Sequence, residues 1–98
     1  MTARLEFHPE AQRELDDAVA FYDLVRPGLG SDFIDEVDRV TRRILAHPQS
    51  APVARGITHR ALVPRFPYTV LYVTIVDGVR VTALAHSRRR PFYWSART

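Results

Sequence analysis

The 98-residue sequence contains no cysteine and no lysine. The first absence excludes disulfides, thiolate zinc sites and a cysteine nucleophile. The second means that all 14 Lys/Arg positions are arginine, each a planar guanidinium fork suited to carboxylate or phosphate. Acids are missing from one half of the chain. Residues 1–50 hold 6 Arg against 10 Asp or Glu, a balance of −4, whereas residues 51–98 hold 8 Arg against Asp77 alone, a balance of +7. A GC-rich genome accounts for arginine in place of lysine. It does not account for acids that stop at Asp38, and the split points to one face built to meet a polyanion or an acidic partner. Long apolar runs are also lacking: the longest, Tyr68 to Val76, spans nine residues, against the ~20 needed to cross a bilayer. The opening Met-Thr-Ala-Arg-Leu-Glu-Phe-His-Pro-Glu places acids and a proline where a signal peptide needs an apolar stretch. A cytoplasmic protein without membrane association is expected.

Several catalytic classes fall away on spacing. His8, His47, His59 and His86 are scattered, and none shares helical spacing with a second ligand, so no metal is expected. Ser31, Ser50, Ser87 and Ser95 lie in no nucleophile-elbow context. Gly28 and Gly30 punctuate a helix end and do not form a phosphate loop. No cofactor is implied.

What is present is an ordinary globular composition, 46% hydrophobic and 26% charged, of a size for one domain spanning 1–98. Leu5 and Phe7 alternate in a short strand that Pro9 ends, and Pro9 suits the first turn of a helix. Ala11, Leu15, Ala18, Tyr22 and Val25, with Val19 beside them, form a stripe of period 3.6 that Arg26-Pro27-Gly28-Leu29-Gly30 terminates. Ser31 is a suitable N-cap for a second helix, with Phe33, Val37, Val40 and Ile44 as its stripe and Pro48 as its stop. On the helices, Arg13 with Asp17, Asp35 with Arg39 and Asp38 with Arg42 have the spacing of solvated ion pairs.

After a loop over 48–58 the period becomes two. Strands are predicted over 59–64, 68–76 and 79–87, the last two joined by an Asp77-Gly78 hairpin turn. That turn pairs Thr69 with His86, Leu71 with Leu84 and Tyr72 with Ala83. It places Val70, Tyr72, Val81, Ala83 and Ala85 under the helices, and Thr69, Leu71, Val73, Thr82, Leu84, His86 and Arg88 on the other face. The order β-α-α-β-β-β describes an α+β two-layer domain, a helical hairpin on a small, mainly antiparallel sheet.

The segment from His86 to Arg97 carries Arg88-Arg89-Arg90 and then Phe92-Tyr93-Trp94. Three consecutive guanidinium groups suit phosphate or carboxylate contacts, and the aromatics suit stacking on bases or anchoring in an interface. Part of this aromatic run is expected to fold back into the core, Phe92 first.

Across nearly its whole length the sequence resembles the RelE/ParE superfamily of type II toxin–antitoxin toxins, nearer the ParE (plasmid stabilisation) branch. The likeness rests on Phe7-x-Pro9-x-Ala11, Pro27-Gly28-Leu29-Gly30-x-x-Phe33, Arg60, Phe66-Pro67-Tyr68-x-Val70-x-Tyr72 and His86-x-Arg88-Arg89-x-Pro91-x-Tyr93-Trp94-x-x-Arg97. The resemblance implies the fold already read from the pattern, and a cognate ParD-like antitoxin that neutralises the protein in a heterotetramer or larger complex. It also implies contact with DNA only through that complex. Two toxic activities belong to this superfamily: poisoning of DNA gyrase, in the ParE branch, and ribosome-dependent mRNA cleavage, in the RelE branch.

The RelE pattern supplies lysines, a central Arg, an Arg after the last strand and a C-terminal Tyr. Here only Arg88 matches cleanly; Thr69 stands at the central Arg position and Trp94 at the Tyr position, with Tyr93 one step off. Those departures weaken the electrostatic stabilisation that such cleavage needs, so the resemblance implies a gyrase inhibitor without confident catalytic residues. A ribonuclease would have to use Arg60, His86, Arg88 and Tyr93, and a non-toxic partner-binding protein is a third reading. The expected binding surface, toward target or antitoxin, is Arg60, Arg65, Arg88, Arg89, Arg90, Tyr93, Trp94 and Arg97.

Overall fold

In a computed structural model, residues 3–98 are described, so the first two residues of the expected 1–98 domain lie outside the described part. The elements are β1 (Arg4–Phe7), α1 (Pro9–Val25), α2 (Leu29–Ala46), β2 (Val53–Arg55), β3 (Thr58–Leu62), β4 (Tyr68–Ile75) and β5 (Gly78–His86). The strands form one mixed sheet in the order β1-β5-β4-β3-β2, antiparallel except for the β1–β5 pair. The predicted α+β architecture is therefore observed, with β2 as an extra edge strand inside the stretch read as a loop.

The helices follow their stripes. His8 caps α1, its Nδ1 accepting the Glu10 N–H at 3.0 Å, and Pro9 fills the first turn, where its missing N–H costs nothing. Gly28, at φ +90°, precedes α2, so this helix begins at Leu29 and the capping position belongs to Gly28, not Ser31. Phe33, Val37, Val40 and Ile44 are buried as the period requires, and so are Ala11 and Ala18, whereas Val25 is exposed at the end of α1. Tyr22, Phe33, Phe66 and Tyr68 join the helical hairpin to the start of β4 in an aromatic cluster, with ring centroids 5.0–6.3 Å apart.

The β4–β5 hairpin departs from the expected register in two ways. Ile75 pairs with Gly78, which places the turn at Val76-Asp77, one residue early. Beyond it Tyr72 pairs with Val81 but Leu71 pairs with Ala83, leaving Thr82 as an extra residue, a β-bulge. A one-residue insertion exchanges faces for everything after it. Val70, Tyr72, Val79, Val81 and Leu84 therefore pack under the helices, while Ala83 and Ala85 join Leu71 on the opposite face. Tyr68, not Thr69, pairs with His86.

Gly78 has a different task from the turn position its dipeptide suggested. It lies directly against Arg4 of β1, and a Cβ there would run into the Arg4 backbone. Cross-strand Glu6 and Arg80 then close this parallel pair with a 2.7 Å ion pair.

Candidate functional site

Past the end of β1, the outer edge of β5 is closed by side chains. Glu14 of α1 accepts the Leu84 N–H at 3.1 Å, and Arg97 donates to the Thr82 carbonyl at 3.2 Å. The same two residues pair with each other at 2.8 Å, and the Tyr93 hydroxyl donates to the second Glu14 oxygen at 2.6 Å. Arg89 lies over the Tyr93 ring at 3.8 Å and 3.8 Å from that carboxylate. One partly buried carboxylate thus ties the bulged strand to the basic C-terminal segment. Burial, then the hydrogen bond to Glu14 and its negative charge, push the Tyr93 hydroxyl well above the usual phenol range; Arg89 and Arg97 act the other way and do not prevail.

Held in this way, residues 87–97 run in successive turns across the sheet face that carries no helix. Trp94, 6% exposed, packs on Leu71 and Ala83, with Ala54, Ala85 and Tyr93 around them. Phe92 stands outside, 43% exposed, with a left-handed φ of 59°, the Arg55 guanidinium 4.6 Å above its ring and Trp94 at its edge. The sequence suggested the reverse, Phe92 inside and Trp94 on the binding surface. The bulge decides this, because it turns the small Ala83 and Ala85 onto the open face and makes the space that an indole fills.

Between this segment and β3 lies a hollow of about 320 Å³. Thr69, Leu71 and Ala85 form its floor, Arg60 one side and the Arg89–Trp94 turn the other, with His86 at one end. Arg60, Arg88 and Arg90 are exposed and, among the described residues, carry no carboxylate partner. Arg60 and Arg90 line the hollow; Arg88 does not, but stands in the same turn, its backbone N–H donated to His86 Nδ1 at 3.0 Å. Arg89 lines it too, but is drawn toward Tyr93 and Glu14.

The remaining expected residues are tied into the fold. Arg97 and Tyr93 belong to the Glu14 cluster. Arg65 sits in the β3–β4 turn at φ 71°, its guanidinium shared between buried Glu36 at 3.2 Å and Asp32 at 3.8 Å. It does not reach the hollow. Of the conditional ribonuclease set, Arg60 and His86 line the hollow together and Tyr93 borders it, but the Tyr93 proton is committed to Glu14.

Sequence reasoning missed Glu14 and Arg55. Glu14 had a signal, since it stands inside the apolar stripe of α1, three residues after Ala11 and four before Ala18. The helical pairs also differ in detail. Arg42 meets Asp38 as expected, whereas Arg13 meets Glu10 and Arg39 meets Glu36 at i, i+3. Among the described residues no group of three or more His, Cys, Asp or Glu side chains could hold a metal ion, and no helix is long and apolar enough to cross a membrane.

A helical hairpin on one face of a five-stranded mixed sheet, with turns over the other, defines a two-layer α+β protein of ParE-like fold. That likeness is to the solved structure titled "Chromosomal ParDE TA system from P. aeruginosa", with a TM-score of 0.74 over 86% of this chain and 95% of that one, at 11% identity. No family model and no curated protein matches the sequence.

Proposed function

We propose that this chain is the toxin of a type II toxin–antitoxin pair, of the ParE kind, neutralised in the cytoplasm by a ParD-like antitoxin and directed against DNA gyrase. The observation that carries the reading is the fold shared with a chain of a ParDE system, joined here to a sheet face rimmed by unpaired arginines. The hollow suits recognition better than chemistry. Its floor is threonine, leucine and alanine, and the nearest phenol is held protonated by burial and Glu14. The arginines supply bidentate donors to an acidic surface or to phosphate, and the apolar floor supplies burial. Arg60, Arg88 and Arg90 are the binding groups, with Arg89 beside them; Tyr93, Trp94 and Arg97 hold that rim in place. The active unit is neutralised in a heterotetramer or larger assembly, and DNA is met only through that assembly.

Inducible expression without antitoxin tests the reading. Growth arrest with filamentation, an SOS response and linearised plasmid in the presence of gyrase is the expected outcome. Arrest with immediate loss of translation and cleaved ribosome-bound mRNA would replace it with the RelE-type activity. Normal growth with confirmed expression would leave a partner-binding protein.

A further inference from the structure

The five-stranded sheet ends in two edges, β1 and β2, and an edge strand presents backbone donors and acceptors that a further strand can take up. The two edges differ. β2 is three residues long, its register against β3 shifts between Val53 and Arg55, and Arg55 adds to the positive charge of the basic half. β1 runs in regular register along β5 over Arg4–Phe7. The Arg4 N–H donates to the Asp77 carbonyl and the His8 N–H to the Val81 carbonyl, each at 2.8 Å. Alternation along the strand then turns the backbone groups of Arg4 and Glu6 toward β5, and those of Ala3, Leu5 and Phe7 outward. Among the described residues no further strand pairs with that outward row.

The two faces of this edge differ in chemistry. Glu6 meets Arg80 at 2.7 Å and Arg4 at 2.9 Å, and Arg4 reaches Asp77 at 3.4 Å. Two arginines and two acids leave this corner neutral, unlike the rim of the open-face hollow. On the helix side Leu5, 37% exposed, and Ile34 of α2, 45% exposed, border a hollow of about 170 Å³ with Phe7, Leu15 and Val37, its polar members being Asp38 and Thr41.

Such an edge matches a second copy of itself in one register. Around a two-fold axis, antiparallel copies of β1 that keep their side-chain faces aligned can be centred on Arg4, Leu5 or Glu6. Centring on Arg4 sets Arg4 against Arg4, and centring on Glu6 sets Glu6 against Glu6. Centring on Leu5 sets Arg4 of each copy opposite Glu6 of the other. It also lets the two Leu5 residues exchange N–H to carbonyl bonds and places each Phe7 opposite Ala3. Opposite charges across a strand pair favour this register, and like charges disfavour the other two.

We propose that β1 is a homodimerisation edge: a second copy of the chain adds its own β1 antiparallel, centred on Leu5. The two sheets become one, and Leu5 and Ile34 of both copies are covered on the helix side. The open-face hollow, with its floor at Thr69, Leu71 and Ala85, lies beyond the part of β5 that β1 covers and stays accessible in both copies. The proposal stands independently of the toxin–antitoxin reading. A four-residue strand makes a small interface, so micromolar affinity is expected.

Sedimentation equilibrium of the full-length protein from about 1 to about 500 µM tests this, with hydrogen exchange at single amides. A monomer–dimer equilibrium is expected, and the amides of Leu5 and Phe7 should exchange more slowly as concentration rises. Leu5→Pro removes an outward N–H that the β5 ladder does not use, and should weaken association about tenfold or more. Arg4→Glu and Glu6→Arg each set like charges opposite one another and should each weaken it about tenfold. An equimolar mixture of those two variants should associate again, because every crossing then joins opposite charges, a rescue that a folding defect would not show. Ile57→Ser, at a 73% exposed position beside the other edge, is the control and should stay within about twofold. Circular dichroism and the emission of Trp94 verify that each variant is folded. A wild-type chain that stays monomeric throughout would overturn the proposal. So would a dimer that Leu5→Pro and the charge variants leave unchanged, or a mixture of folded Arg4→Glu and Glu6→Arg chains that does not associate. A monomeric wild type whose complex with the neighbouring gene's product is lost in Leu5→Pro would assign the edge to that partner and overturn the second copy as its occupant.

Discussion

Replacing Glu14 with alanine should loosen the C-terminal segment from the rest of the protein. The side chain is 13% exposed and meets Arg97, itself 17% exposed, at 2.8 Å. Removing one member of a buried pair costs about 3–5 kcal/mol, because the other charge is left uncompensated. Water reaches part of this pair, which lowers that figure. The Leu84 N–H and the Tyr93 hydroxyl lose the same acceptor, at about 1–3 kcal/mol each where no water replaces it. These costs share one carboxylate and do not add in full, so the expected loss is about 3–4 kcal/mol. Domains of this kind have only about 5–15 kcal/mol in total. Urea unfolding measures the loss directly. Trp94, the single tryptophan, gives the local readout, since it is buried by the same segment and should shift its emission to the red in the variant before global unfolding. Glu14→Gln keeps the shape and an acceptor but not the charge, and should lose about half as much. If Glu14→Ala loses less than about 1 kcal/mol and leaves the emission of Trp94 where it was, the carboxylate does not hold the segment and the reasoning is refuted.

Four further outcomes follow from the same contacts. Gly78→Ala should separate β1 from β5, costing about 2–3 kcal/mol or more, because backbone atoms of Arg4 occupy the space of the new Cβ; unfolding midpoints close to wild type would contradict this. Burial raises the pKa of Tyr22, Tyr68, Tyr72 and Tyr93, so above about pH 10 the unfolded chain gives up protons that the folded chain retains. Stability from this source is complete below that pH and is lost as pH rises through it. Urea midpoints between about pH 8 and 11 should fall only at the alkaline end, and less steeply in Tyr93→Phe. Arg65→Ala leaves buried Glu36 with Arg39 alone and should cost about 1–2 kcal/mol in thermal or urea unfolding, with no effect on the open-face hollow. If the chain arrests growth as proposed, Arg88→Gln combined with Arg90→Gln should abolish that arrest with a melting temperature within about 2 °C of wild type, since neither side chain makes an internal ion pair; retained arrest would remove them from the binding surface.

The helices were legible because their stripes are long and their ends carry strong signals, Pro9 at one and Pro27-Gly28 at another. The sheet was legible in its strands but not in its faces. A bulge at Thr82 leaves no mark in the run Val79 to Ala85, because Val79, Val81, Ala83 and Ala85 keep one unbroken apolar phase through it. That single insertion moved Leu84 inward and Ala83 outward, and through Ala83 it decided that Trp94, not Phe92, is buried. The basic rim was legible as charge, and its three free members, Arg60, Arg88 and Arg90, lie on or beside one groove. The division between binding and holding arginines was not legible, because it depends on which acids the fold brings near. Glu14 and Arg97 are 83 residues apart in sequence.

That division gives the charge asymmetry a physical meaning. Nine arginines meet carboxylates, and those acids come from the first half of the chain, except for Asp77. The acidic helices therefore neutralise the arginines that the fold uses, including Arg65, Arg80, Arg89 and Arg97 from the basic half. Arginines left over repel one another when no partner is bound, and Arg88 and Arg90 stand on the same short turn as Arg89. A fold indifferent to partners would gain stability by spreading such charges or placing acids among them. Here Arg60 and Arg90 lie on the rim of one hollow, with Arg88 in the same turn as Arg90. A partner that brings carboxylates to those positions relieves the repulsion and covers apolar wall in the same step. Binding an acidic segment should therefore raise the stability of the protein by more than the buried apolar area alone supplies, and that excess should fall with salt.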